Sequence, residues 1–225
     1  MDISILFNHE VVIPATIFNS VLIVLVLSGL FLVWSKKVKA ADPSQPSTGV
    51  VLLLELFVTG VEKICQTIMN DQLGRFAPFV GVLIVYLIVA NLIGLVGLAA
   101  PASNYNVALS LAIFALGYLH FSGMKIKGVG KYFKEMIFGD FPALALLNIV
   151  GEISKVLSLS FRLFGNVLSG GVISFVVLYL TGWVALLFTP VLNFYFDIFS
   201  GLLQTMIFCF LMMIWLGNAT ATESE

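Results

Sequence analysis

Charge is what this chain has least of. Only 10% of its 225 residues are Asp, Glu, Lys or Arg, while 60% are hydrophobic, and the mean hydropathy is +1.09. Such a composition cannot cover a water-soluble surface with polar groups, which excludes the soluble classes and indicates an integral membrane protein. Cysteine is almost absent too. Cys65 and Cys209 sit in separate apolar segments without CxxC or CxxH spacing, which excludes a disulfide framework and a metal knuckle and leaves two buried structural thiols. No Lys or Arg precedes the first apolar run in MDISILFNHE, so that run lacks the basic start of a cleaved signal peptide and reads as a permanent span. No basic patch is interleaved with aromatics, so the expected surroundings are a lipid bilayer and not nucleic acid.

What the chain does have is long apolar runs. A span needs about 20 apolar residues, and candidates lie at 13–34, 79–98, 107–121, 143–180 and 183–216. The segment 50–70 is different: Phe57, Val61, Ile64, Cys65 and Ile68 share one helical face, and Glu62, Lys63, Gln66 and Thr67 occupy the other, as in an interfacial amphipathic helix. Charge parity supports the non-crossing version. With 50–70 outside the bilayer core, Lys36, Lys37, Lys39, Lys63, Arg75, Lys125, Lys127, Lys131, Lys134 and Lys155 all fall on one side, the cytoplasmic one by the positive-inside rule. The amino terminus is then outside and the tail NATATESE inside. The expected architecture is a single all-α membrane domain over 1–225: about five transmembrane helices plus one interfacial helix, with a hairpin at 79–121 and a long hairpin at 143–216. Residues 143–180 would extend about 57 Å against about 30 Å of hydrocarbon. The last two helices must therefore tilt, bend or break, and Gly170, Gly171 and Pro190 are the places where bending is expected.

The eleventh basic residue, Arg162, lies deep in the fourth span. Its guanidinium stays charged when buried, and a cation at mid-bilayer costs roughly 2.5 to 3.5 kcal/mol on insertion scales. Snorkelling is hard with ten or more residues of span on either side, which leaves structural pairing or a functional role. Ser158 lies four residues before it, Asn166 four after and Lys155 seven before, so a polar stripe runs along one face. Ser158 and Ser160 could equally be helix-packing glue. In the fifth span Asp197 and Gln204 are seven residues apart and share a face with Ser200 and Gly201. Antiparallel packing can bring Gln204 to the depth of Arg162, with Asp197 about 10 Å nearer the outside and Glu152 about 15 Å nearer the inside. An acid on each side of a central cation marks an ion or proton path, although Glu152 could be merely interfacial.

SLSFRLFGN at 158–166, the downstream LLQTMIF, NYNVALSLA after the second span and the span ending ANLIGLVG together resemble the a subunit of F-type ATP synthases. The likeness runs in order from about residue 75 to 216. Its most specific part is RLFGN with a Gln 42 residues later; the first 70 residues match mainly in layout. It implies a non-catalytic stator subunit with two offset half-channels that meet a rotating ring of c subunits, each carrying a carboxylate, beside b-type peripheral-stalk subunits in a bacterial plasma membrane. No cofactor is implied. Arg162 matches the family's ring-facing arginine and Gln204 the glutamine near it. Asn166 and Ser158 match polar positions along the path, and Asn91 and Asn106 match asparagines of the preceding hairpin. Asp197 falls where members carry a titratable or polar group. Gly171 stands where some members have an acid, which makes Asp197 the main outer acid. Val156 stands where a proline is often found, and the inner acid is four residues closer to the arginine than in some members.

Other signals are weak. GVG at 128–130 lacks a nucleotide-binding context, and His9 and His120 read as isolated interfacial residues. A self-contained secondary ion transporter is the alternative, but it would favour internal repeats, which are not seen here. An intramembrane enzyme would need a Ser/His pair or HExxH, and neither accompanies the spans.

Overall fold

The computed structural model describes residues 14–40, 47–69, 75–139 and 142–221, and every regular element among them is helical. His9, with the rest of residues 1–13, and the last four residues lie outside the described residues. The helices are α1 (Ala15–Ala40), α2 (Val50–Met69), α3 (Ala77–Leu92), α4 (Tyr105–Lys127), α5 (Val129–Phe138), α6 (Ala145–Thr181), α7 (Ala185–Asn193) and α8 (Gly201–Thr220). A π-helical segment, Phe194–Ser200, joins α7 to α8. Five runs are long and apolar enough to cross a membrane: Ala15–Ala40, Ala77–Val96, Tyr105–Lys127, Ala145–Val184 and Leu187–Thr220. These are the five expected from the sequence.

Local chemistry sets the element ends. Pro78 opens α3, where a missing N–H costs nothing. Asn104 caps α4 by accepting from the Asn106 backbone N–H, and Gly128, at φ 82°, makes the sharp turn into α5 that other residues would resist. In the bundle α4 is central, packing along both α6 and α8. Its buried stripe of Ala108, Ala112 and Ala115 explains this position, because small side chains let neighbouring backbones approach closely in lipid. Leu159 and Leu163 of α6, and Phe208, Met212 and Leu216 of α8, complete that core, together with Val80, Leu83 and Leu87 of α3.

The helix α2 carries Glu55, Glu62 and Lys63 and is not one of the five candidate spans. It packs on α3 and α8 through Val61, Cys65 and Met69, with Phe57 and Ile68 alongside. Ile64, expected on that face, is exposed. Consecutive residues are about 100° apart around a helix, so a stripe centred on Cys65 takes in Met69 and leaves Ile64 out. Both cysteines are buried and free, as the sequence suggested, and Cys65 Sγ lies 3.7 Å from Met213 Sδ.

The long hairpin is interrupted in one arm only. Helix α6 runs for 37 residues without interruption through Gly170 and Gly171. Gly170 serves close approach instead: a Cβ there would come within 2.9 Å of Phe196 Cβ. In the other arm Pro190 sits inside α7, and the change of helical register comes in the following turn, at Phe194–Ser200.

Candidate functional site

Asp197 lies within the π segment, a form that is rare and frequent at functional sites because it re-aims side chains. Its carboxylate nests against the end of α3, where Gly94 leaves room; a Cβ on Gly94 would stand 3.1 Å from Asp197 Oδ2. Three residues on, Ser200 Oγ donates to Asn166 Oδ1 of α6. At the junction with α8, Asn91 Nδ2 donates to the Gly201 carbonyl at 3.1 Å and to Thr205 Oγ1 at 3.2 Å, and a Cβ on Gly201 would meet Asn91 Cβ at 3.0 Å. Asn91, Gly94, Asn166, Gly170, Gly171, Ser174, Phe196 and Asp197 line a cavity of about 200 Å³. The structure thus brings Asn91, Asn166 and Asp197 together at one end of the hairpin.

A second polar cluster lies at the opposite end of α6. Glu152 Oε1 accepts from Lys155 Nζ at 2.6 Å, and Glu152 Oε2 is 3.7 Å from His120 Nε2 of α4. His120 Nδ1 shares a 2.7 Å hydrogen bond with the Tyr132 hydroxyl of α5, and Lys155 also lies over the Trp215 ring. Burial, and then the charge of Glu152, push the Tyr132 hydroxyl up to about 12. Lys127 Nζ donates to Glu135 Oε2 at 2.8 Å, which holds the Glu135 carboxyl below its ordinary range. Glu152, Lys155, Tyr132, Lys127, Glu135, Trp215 and Asn218 contribute to the lining of a cavity of about 400 Å³. His120 is therefore not isolated. The sequence missed it, and Tyr132 with it, because their partners come from three different helices; the one available signal was the shared presence of a histidine and a tyrosine on neighbouring elements.

Arg162 lies between the two clusters along α6 and lines neither cavity. Its Nη1 is buried and has no hydrogen-bond partner among the described residues, and the same is true of Gln204 Nε2 on α8. Buried donors left in this way favour an incoming anionic acceptor. Ser158 is exposed on α6, whereas Ser160 is fully buried and bonds back to the Leu157 carbonyl, so Ser160 and not Ser158 sits in a helix contact. Asn106 is exposed at the start of α4, and nothing brings it to the other site residues. Among the described residues no group of three or more His, Cys, Asp or Glu could hold a metal ion.

Comparison with known proteins gives a consistent result. The family model described as ATP synthase A chain matches residues 17–217. The ATP synthase subunit a of Campylobacter fetus subsp. fetus is 34% identical over 179 residues, covering 77% of each chain. That of Aliarcobacter butzleri is 34% identical over 184 residues, 79% of this chain and 78% of the relative. That of Helicobacter hepaticus is 29% identical over 223 residues, 97% of this chain and 93% of its own.

Proposed function

The chain belongs to the ATP synthase A chain family, and from that premise we propose that it passes ions between two offset half-channels and the carboxylates of a rotating c-ring. As a family member it is a multi-pass membrane protein with an ion-translocating role in the membrane sector of the synthase. The observation that carries the finer reading is the position of Arg162. One cavity, with Asp197 and Asn166, lies beyond it on α6; another, with Glu152 and Lys155, lies before it; its own Nη1 is a buried donor without an acceptor.

In this reading the cavity at Asp197 opens the outer half-channel, and the cavity at Glu152 opens the inner one. Cavities of this size with polar side chains in their walls can hold several waters, and Arg162 interrupts any chain of them. A ring carboxylate arriving from lipid is neutral, because burial there raises its pKa; beside Arg162 the opposite charge favours the ionised form, and the ion leaves. A carboxylate moving on must be neutralised from the other half-channel before it re-enters lipid, so ion flow and rotation are coupled. Gln204, with its unpartnered Nε2, contributes a second donor to the same carboxylate, and the exposed Ser158 faces the ring. The protein acts without catalysing ATP chemistry itself. It works beside the c-ring and b-type peripheral-stalk subunits, with its amino terminus outside and its carboxy terminus cytoplasmic.

The test is ATP-driven acidification of membrane vesicles, run with and without Na⁺ to identify the ion, alongside passive leak after the catalytic head is stripped. Arg162→Ala abolishes pumping while leak persists. Arg162→Lys fails as well, because an ammonium is a compact charge that can deprotonate when desolvated, whereas a guanidinium keeps its charge and its fork of donors. Normal pumping by an assembled Arg162→Ala complex would overturn the reading.

A further inference from the structure

His120 of α4 is held between α5, the next helix in the chain, and the start of α6. On one side its Nδ1 meets the Tyr132 hydroxyl at 2.7 Å; on the other its Nε2 stands 3.7 Å from Glu152 Oε2. The tyrosine's place is fixed in turn by Gly123, where a Cβ would come within 2.3 Å of the Tyr132 ring. The two oxygens of Glu152 are unequal. Oε1 is engaged by Lys155 at 2.6 Å, while Oε2 is buried and has no hydrogen bond among the described residues, so Oε2 is the oxygen open to a proton.

We propose that His120 is the proton-transfer partner of Glu152 on the inner side of the path, and that the Tyr132 hydroxyl passes protons between its Nδ1 and the cavity. The proposal rests on the ion-path reading above and adds two residues to it. Tyr132 and Glu152 both line the 400 Å³ cavity, so the ends of the Tyr132–His120–Glu152 chain face the same space. In the inward-supplied direction, imidazole Nε2–H gives its proton to Oε2, turning the carboxylate into the acid. Nδ1 takes the hydroxyl proton of Tyr132, and the phenol oxygen takes one from a hydronium of the cavity, which leaves as water. One proton has moved from the cavity to Glu152, and the ring is left as its other tautomer. The reverse sequence delivers a proton to the cavity. A tyrosine hydroxyl suits the middle position because it can donate to a bare Nδ1 or accept from Nδ1–H. The 3.7 Å gap to Oε2 closes by a small side-chain rotation, as such contacts do when a proton is passed.

The titratable groups facing His120 are Tyr132 from α5 and Glu152 and Lys155 from α6; Lys127 and Glu135 stand across the cavity, and α8 contributes the uncharged Trp215 and Asn218. The experiment uses the whole synthase in inverted vesicles, with ATP-driven proton pumping measured from acid to alkaline pH. His120→Gln keeps a polar side chain of similar reach but cannot titrate. It is expected to pump roughly 10²-fold more slowly, the low end for a positioned proton-transfer group, and to lose one limb of the pH profile. Tyr132→Phe, which breaks the chain, is expected to slow pumping about as much, and Gly123→Ala, which displaces the ring, to slow it less. Added imidazole restores part of the rate to His120→Ala and none to Arg162→Ala. An unchanged rate and pH profile in either His120→Gln or Tyr132→Phe would overturn the relay. If Arg162→Ala still abolishes pumping in that case, only the relay is lost; if Arg162→Ala pumps, the ion-path reading itself falls.

Discussion

Asp197 shows how much one residue's meaning depends on its neighbours' small size. Its carboxylate fits because Gly94 has no side chain, and it faces Gly171 across the same cavity, where a Cβ would meet nothing within 4 Å. An acid at Gly171 therefore has room, which gives a paired prediction. Asp197→Asn should reduce proton pumping severalfold or more, and adding Gly171→Asp should restore part of it; unchanged pumping in the single variant would take Asp197 out of the path. Arg162, Asn166 and Asp197 were legible in the sequence because a charge or amide inside an apolar run is conspicuous by itself. His120 and Tyr132 were not, because twelve residues of chain and a change of helix separate them, and Glu152 lies on a third element. Ser158 was legible as polar but not as exposed, since Ser160, two residues on, takes the buried position that either could have filled.

At the scale of elements, α5 is short, ten residues, and so is a place where one interaction is measurable. Lys127 at the end of α4 donates to Glu135, and its side chain is only 11% exposed. The Glu135 pKa is lowered first by that hydrogen bond, so the clamp is in force above the ordinary carboxylate range and is lost as pH falls through the lowered value. Glu135→Gln should weaken α5 docking by about 1 kcal/mol or less, since an ion pair with one partly exposed partner contributes little. Amide-exchange protection of α5 reads this out: the wild type should lose protection only in acid, and the variant should be low at both neutral and acid pH. The five spans were legible from hydropathy, and the ends of α6 fell within two residues of expectation. The π segment was not, because nothing in FYFDIFS marks a shift of hydrogen-bond register, and the visible proline lies a turn earlier. Gly170 shows a related ambiguity: a glycine that permits bending and one that admits a neighbouring ring look alike in sequence.

For the molecule as a whole, the distribution of charge makes the strongest claim. If α2 does not cross, cysteines introduced at Lys37 and Lys127 should both react with an impermeant thiol reagent from the cytoplasmic side alone; labelling on opposite sides would mean that α2 crosses. The buried native thiols should not interfere, since Cys65 and Cys209 are almost fully enclosed. Trp183, widely exposed at the turn between α6 and α7, suits the opposite interface, where an indole ring can sit at headgroup level. The unbroken length of α6 has a mechanical side as well. Anything driven past Arg162 recoils on the helix that carries it, and a hinge nearby would absorb that recoil as flexing. Within α6 there is no interruption, and its long flank lies on α4, so the arm that bears the arginine behaves as a braced beam. The regular hydrogen bonding of the other arm is interrupted, at Pro190 and the π turn, and yielding there, like a spring, would leave the fixed charge at its station.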